Sequence, residues 1–363
     1  MMGNPTAGRL DRLRGAMAAA GGDAFVSLSP PANEYLSGFR GSTSAVLVTA
    51  DTAALLCDFR YIEQAGAQAA GWEVSEVEGA LEARAGEWLA GAGCRTALFE
   101  PARLTVAQHD SLRAASGSAA LTAAPGLVDR LREIKDAGEI AKMREATRVA
   151  EEALETVLAG LRPGVTERET AARLEHEFML RGAQKASFDT IVLFGARSSL
   201  PHGVPGPRPL EKGDIVLVDC GCVVDSYCSD LTRTAVFGNI PGSWFEEIHA
   251  CVHAAQAAAL RAVRAGAPAA EVDAAARDII VRAGYGDRFG HGTGHGVGLE
   301  IHESPRLNKT SPAVLGAGMA VTVEPGIYLP GQGGVRIEDL VVVTEDGCGV
   351  LNRLPKELQV IQA

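Results

Sequence analysis

The stretch GDIVLVDCG at residues 213–221 is echoed by GMAVTVEPG at residues 318–326. In each, a glycine opens an apolar run, an acid follows six residues on, and another glycine comes two residues later. A second acid follows each copy, Asp230 after the first and Glu338 after the second. Short apolar runs closed by turn residues read as buried β-strands. A duplication of this kind would set two acid-bearing hairpins on opposite sides of a pseudo-twofold centre and bring Asp219, Asp230, Glu324 and Glu338 together. The alternative is two ordinary hairpins that happen to look alike. Carboxylates gathered in a low dielectric repel one another and take up protons unless a cation lies among them. Convergence therefore implies a metal site, and oxygen-rich ligation suits hard or borderline divalent ions.

A histidine ligand would shift that preference toward transition metals. The stretch HGTGHGVGLEIHE, residues 291–303, supplies candidates in His291, His295 and His302. Glycines at 292, 294, 296 and 298 permit close backbone approach, and His291 and His295 share parity, so an extended chain points both to one side. Three histidines in twelve residues among glycines are hard to explain as satisfied core groups.

The stretch VDCGCVVDSYCSD, residues 218–230, also crowds Cys220, Cys222 and Cys228 against the acids. If Asp219 faces the metal, strand alternation sends Cys220 and Cys222 to the other face with Val216 and Val218, where thiols pack as small apolar groups. Asp225 is expected in the hairpin turn with Ser226. Cys228 shares parity with Asp230, which would let it line the approach to the site. Seven cysteines without a CxxC…CxxC arrangement argue against a disulfide framework or a zinc ribbon.

The 363 residues suffice for about two domains, and 47% hydrophobic with 22% charged residues is an ordinary globular composition. A formal net charge of −11 argues against nucleic acid or an anionic membrane as partner. The N-terminal stretch lacks the apolar core of a signal peptide, and no run approaches the roughly 18 apolar residues of a membrane span, so a cytoplasmic enzyme is expected.

The first third alternates β-like runs (23–28, 44–49, 52–57 and 95–100) with helical segments near 59–70 and 79–92, which reads as a small α/β domain. From Leu127 to Leu161 a charged, amphipathic helical stretch follows the turn at Pro125 and Gly126, so the boundary is expected between 125 and 135, dividing the chain into 1–130 and 131–363. Beyond it come strands near 188–194, 214–221, 232–237, 319–326 and 335–347, with helices at 244–265 and 268–284.

Taken together, VDCG…SDLTRT, GHGVGLEIHE, TVEPGIY and VRIED resemble the pita-bread dinuclear metallopeptidases, a family that includes aminopeptidase P, proline dipeptidase and methionine aminopeptidase. The resemblance implies an α+β C-terminal pita-bread domain with internal pseudo-twofold duplication. It places the five ligands of two divalent metal ions on Asp219, Asp230, His295, Glu324 and Glu338, with manganese favoured and cobalt, zinc and iron compatible. NEYLSGFRGS (33–42) and DFRYIEQA (58–65) resemble the creatinase-like α/β N-terminal domain of the Xaa-Pro branch, which methionine aminopeptidases generally lack.

By the same resemblance, His202 in LPHGVPG lines the substrate pocket, His291 and His302 stand near the scissile bond, and Tyr328 falls where the Xaa-Pro branch carries a tyrosine. Arg306, four residues after His302, resembles the arginine that clamps a dipeptide's carboxylate, a task suited to a planar guanidinium. Arg336, two residues before Glu338, would orient a carboxylate ligand and is counted with His202, Arg306 and Tyr328 among the substrate-binding residues. Water between two metals supplies a hydroxide, Glu324 would shuttle its proton, and His291 and His302 would stabilise the oxyanion or protonate the leaving nitrogen. The implied substrate is an Xaa-Pro dipeptide, with longer Xaa-Pro peptides as the alternative and a homodimer as the expected assembly. A non-catalytic binding protein or a metal-independent relative would be expected to lose ligands, and all five are present. The pair His249 and His253, four apart on a helix around Cys251, looks superficially like a metal clip, though a polar helix face is the commoner reason for such spacing.

Overall fold

The computed structural model describes residues 5–362, which divide into two compact units between Arg132 and Glu133. Among the described residues no helix is long and apolar enough to cross a membrane.

The first unit is built on a six-stranded mixed sheet. Its order is Glu73–Glu76, Ala53–Cys57, Ser44–Thr49, Ala24–Ser27, Thr96–Phe99, Ala120–Ala123. Strand 44–49 pairs antiparallel with both 24–27 and 53–57, while the remaining three pairings of the sheet are parallel. The four inner strands are the β-like runs visible in the sequence, because burial demands Val, Leu, Phe and Ala there. The two edges, EVSE and ALTA, carry too little apolar character to stand out, and their side chains are mostly exposed.

The helix read across Leu127–Leu161 is two helices, Leu127–Glu133 and Ala137–Ala159. The interruption has a local cause. Asp136 accepts the Glu139 amide at 2.9 Å while Glu139 accepts the Asp136 amide at 2.9 Å, a reciprocal cap that starts a new helix. The intervening backbone pairs elsewhere: Lys135 N donates to Gly318 O at 2.9 Å.

In the second unit the two echoed stretches lie in two sheets. Ile215–Cys220 pairs antiparallel with Leu231–Phe237 in a four-stranded sheet, and Ala320–Val323 pairs antiparallel with Asp339–Val343 in a five-stranded one. Each acid therefore sits at or just beyond the end of a hairpin strand. The two registers differ: Asp219 pairs with Thr232, two residues past Asp230, whereas Glu324 and Glu338 lie one step beyond the Val323–Asp339 pair. Each sheet has a helical cover. Val149, Leu154, Leu174 and Phe178 pack on Val192, Phe194, Val216 and Val218. Ile248, Val252, Ala276 and Ile280 pack on Val321, Val323, Val341 and Val343. Alternation then leaves Asp219, Thr322 and Glu324 on the faces turned away from the helices.

The run read as one strand over 335–347 is broken. Gly333–Arg336 pairs with Gly326–Leu329, and Asp339–Val343 belongs to the five-stranded sheet, so Ile337 and Glu338 bridge the two. There Glu338 N donates to Thr232 O at 3.1 Å. Asp225 and Ser226 form the turn of the 222–228 hairpin with φ of 48° and 72°, the geometry of a type I′ turn.

Replacing Asp136 by Ala removes the cap that begins the 137–159 helix. A loss of about 1 kcal/mol is expected, checked by urea unfolding of the metal-saturated protein.

Candidate functional site

The faces that carry the acids enclose a cavity of about 780 Å³, whose wall includes Asp219, Asp230, His295, Glu324 and Glu338 together with His202, His291, His302, Arg306 and Arg336. One donor atom each from Asp230, His295 and Glu338 lies within 4.8 Å of the others, and among the described residues this is the grouping close enough to hold an ion. Glu324 stands next to it, its Oε1 at 3.4 Å from His295 Nε2, and Asp230 Oδ2 is 3.6 Å from the same nitrogen. Asp219 holds the remaining side, with Oδ2 accepting from Arg336 Nη2 at 2.6 Å.

Local structure aims each group. His295 sits in the three-residue strand Gly294–Gly296, wedged so tightly that a Cβ at 294 would lie 2.0 Å from Thr322 O and one at 296 would lie 2.1 Å from Ser304 O. Only glycine fits on either side of this histidine. Its Nδ1–H donates to Gly296 O at 3.0 Å, which leaves the Nε2 lone pair facing the carboxylates. Burial holds its pKa down at about 3, so the ring is a neutral donor. Thr322 accepts the His295 amide at 3.0 Å and donates to Glu324 Oε1 at 3.1 Å. Across the centre Thr232 donates to Glu338 Oε2 at 2.6 Å.

Electrostatics show what this wall requires. Burial, followed by the neighbouring carboxylates, pushes Asp230 and Glu338 well above the ordinary carboxylate range, and burial raises Glu324 to about 7. Asp219 Oδ1 is buried without a hydrogen-bond partner. An orphaned carboxylate oxygen, a neutral imidazole and three further carboxylates form a donor set that divalent cations would satisfy and that hydrogen bonds within the chain do not.

Arg336, 3% exposed, ties these parts together. Besides Asp219 it donates to Thr232 Oγ1 at 3.0 Å, to Tyr328 OH at 2.9 Å and to Pro201 O at 3.3 Å. Tyr328 lies behind His291 rather than on the cavity wall, and its hydroxyl is 2.9 Å from His291 Nε2. With Nδ1 on Gly292 O at 2.8 Å, both nitrogens of His291 are engaged within the protein. His302 is exposed to the cavity and stacks edge-on against His295 with centroids 4.4 Å apart. His202 is exposed on the loop after Leu200, and Arg306 is exposed on the strand opposite His295.

Cys220 and Cys222 are fully buried with Val216 and Val218, as strand alternation requires. Cys228 does not line the cavity. It is buried against Val297 and Leu340, its Sγ 3.8 Å from Leu299 O, and burial pushes its pKa up to about 12. The strand carrying it ends at Cys228, so parity with Asp230 does not carry through. His249 does not lie on a polar helix face: it is 4% exposed beside Phe245, and among the described residues no third ligand joins it and His253.

Several supporting residues escaped the sequence reading. Thr232 and Thr322 each lie two positions from an acid, a spacing that puts them on its face, and this signal was available. Asp273 and Arg277 read as an ordinary i, i+4 helix pair. In the fold Asp273 accepts from Thr293 N and Oγ1 at 3.0 and 2.8 Å, while Arg277 donates to His291 O at 2.7 Å, fixing the loop that leads into His295. No sequence spacing announces that reach.

Residues 141–345 match Metallopeptidase family M24, and residues 9–134 match the Creatinase/Prolidase N-terminal domain. The chain belongs to metallopeptidase family M24. This M24 chain is 41% identical to an uncharacterized peptidase of Bacillus subtilis over 97% of its own length and 100% of the relative's. Among solved structures it is similar to the Xaa-Pro dipeptidase from Bacillus anthracis, with a TM-score of 0.95 at 41% identity, covering 98% of this chain and 99% of that one. It is also similar to the X-Pro aminopeptidase from Thermotoga maritima, with a TM-score of 0.90 at 36% identity, covering 97% and 100%. The creatinase-like N-terminal domain and the pita-bread catalytic domain anticipated from sequence are thus both present.

The buried His249 gives the M24 chain an acid-sensitive point outside the cavity. Burial, with His253 nearby, lowers its pKa to about 4, below the unfolded value of 6.5. Between those values the unfolded chain binds more protons, so stability rises with pH across the window and is lost as pH falls through it. His249→Leu should flatten this slope by roughly 2 kcal/mol between pH 6.5 and 4, read from denaturant unfolding of both proteins at each pH.

Proposed function

We propose that this metallopeptidase is an exopeptidase that hydrolyses the Xaa-Pro bond of dipeptides, with Asp219, Asp230, His295, Glu324 and Glu338 as the ligands of two divalent ions. The observation that carries the reading is the shared cavity wall. Five metal-type donors face the same 780 Å³ space as Arg306, whose guanidinium makes no hydrogen bond or ion pair among the described residues. The names of the similar dipeptidase and aminopeptidase structures support the Xaa-Pro substrate class. The oxygen-rich set with one imidazole is compatible with manganese, cobalt, zinc and iron, and the family resemblance favours manganese.

When bound, the divalent ions would acidify a water molecule and polarise the scissile carbonyl. The residues of the chain do the rest. Glu324, oriented by Thr322, takes the proton of the attacking water and passes it on. The prolyl nitrogen carries no hydrogen in the peptide and leaves as an amine, so it must receive that proton. His302, exposed to the cavity, is placed to donate to the oxygen on which negative charge develops, and His202 borders the same space from its loop. His291 has both nitrogens engaged and acts by holding its ring, backed by Tyr328 and Arg336, against the substrate. Arg306 clamps the free carboxylate of a dipeptide by charge-assisted hydrogen bonds. A homodimeric, cytoplasmic enzyme completes this reading by resemblance.

Removal of the N-terminal residue from longer peptides is the second reading, favoured by the likeness to an X-Pro aminopeptidase. Hydrolysis of Xaa-Pro and Xaa-Pro-Xaa peptides under manganese, cobalt and zinc separates the two. The dipeptides are expected to be cleaved faster, with activity abolished by chelation and restored by metal. Preferential cleavage of tripeptides would move the assignment to the aminopeptidase reading, and failure on every peptide with bound metal would sink both.

Arg306→Ala should raise KM for dipeptides about tenfold with KM for tripeptides within about twofold, measured by steady-state kinetics. Asp219→Asn should fold normally and lower metal affinity by about tenfold or more, read by competitive metal titration.

A further inference from the structure

The loop Leu200–Gly206 presents His202 to the cavity, and Pro201, Gly203, Val204 and Pro205 line the wall with it. Among the described residues no side chain of this loop makes a hydrogen bond, and Val204 is 78% exposed. Its position must come from groups that grip its backbone. Backbone bonds hold part of it, with Leu200 N on Arg197 O at 3.0 Å, Gly203 N on Leu200 O at 3.1 Å and Arg168 N on Gly206 O at 3.1 Å. The side chains that grip it are Arg336, 3.3 Å from Pro201 O, and one ion pair.

Glu167, at the start of the Glu167–Leu180 helix, is 0% exposed. Its Oε1 accepts Phe194 N at 2.9 Å, its Oε2 accepts Gly206 N at 2.8 Å, and both oxygens lie 3.0 Å from Arg197 Nε. Arg197 in turn donates from Nη2 to Val204 O at 2.7 Å. The pair therefore takes hold of the chain just before the loop, at Phe194, and again at its far end, at Val204 and Gly206. Gly203 lies between these grips with its backbone pressed onto Leu193, where a Cβ would sit 2.8 Å from the leucine methyls. A buried carboxylate that loses its cation is left uncompensated, so the pair cannot slacken at one end without cost at the other.

We propose that the Glu167–Arg197 pair is a positioning device, which holds the 200–206 loop and His202 over the cavity and thereby sets peptide affinity. The proposal rests on the reading that the peptide occupies this cavity. Glu167 and Arg197 act through the loop, and neither belongs to the cavity wall.

The test compares the metal-loaded parent with Glu167→Gln, Arg197→Gln and Arg197→Lys, by amide hydrogen exchange of residues 200–206 and by kinetics on an Xaa-Pro dipeptide. In the two glutamine variants loop exchange should quicken about tenfold or more and KM should rise about five- to tenfold, while kcat stays within about twofold and metal content is unchanged. Arg197→Lys keeps the charge beside Glu167 but cannot also reach Val204 O, so its KM should fall between parent and Arg197→Gln. Combining Arg197→Gln with His202→Ala should raise KM no further than the larger single effect, because both act on one contact. Unchanged loop exchange, a KM equal to the parent's, full additivity with His202→Ala, or metal loss in step with KM would each overturn the proposal. If Glu167→Gln does not fold, Arg197→Gln decides, since that side chain is 36% exposed. A parent that cleaves no Xaa-Pro peptide sinks the functional reading alone, and the exchange comparison still decides whether the pair holds the loop.

Discussion

Four carboxylates on one buried wall repel one another, and much of the second unit is arranged to bear that repulsion. Asp219, Asp230, Glu324 and Glu338 share the wall with Arg306 and with the buried Arg336, which among the described residues hydrogen-bonds Asp219 alone of the four. Threonine hydroxyls donate to Glu324 and Glu338, and His295 is held neutral by burial so that it adds a lone pair rather than a charge. None of this neutralises four negative charges. The wall is stable as a set of anions only with further positive charge in the cavity, which is why geometry alone points to metal chemistry.

The same need reaches outward. Asp339, next to Glu338, is 1% exposed and accepts from Arg233, Gln256 and Lys356 at 2.7 to 2.9 Å. Arg233 also donates to the Glu338 carbonyl, so the strand turn that carries the Glu338 carboxylate is gripped from a second sheet, a helix and the C-terminal segment. Precision in a ligand comes from the packing of what stands behind it.

Much of this was legible in the chain. The two echoed stretches declared both hairpins because burial on a helix-covered face imposes apolar alternation, and the acids stood out against it. Glycines around His295 were visible as a demand for close approach, and the backbone contacts at 294 and 296 are that demand met. Less legible were elements whose reason lies elsewhere in the fold. The cap at Asp136 divides a sequence that is helical by composition on both sides. The edge strands of the first unit carry no pattern because most of their side chains face solvent. Cys228 kept parity with Asp230 in sequence and lost it in space, since its strand ends before the acid begins its own. Long-range grips such as Arg277 on His291 or Glu167 on the 200–206 loop depend on side-chain reach across elements, which spacing along the chain does not encode.

Arg336 joins what would otherwise be separate properties. One guanidinium touches the Asp219 carboxylate, the threonine that serves Glu338, the tyrosine behind His291 and the backbone at Pro201, where the cavity-lining loop begins. Because a shared partner must satisfy all of them at once, a shift at any one contact changes the free energy of the others, and by linkage the influence runs equally in both directions. On the proposed reading, ion occupancy and grip on the peptide become a single coupled equilibrium, so an affinity measured for either has meaning only at a stated concentration of the other.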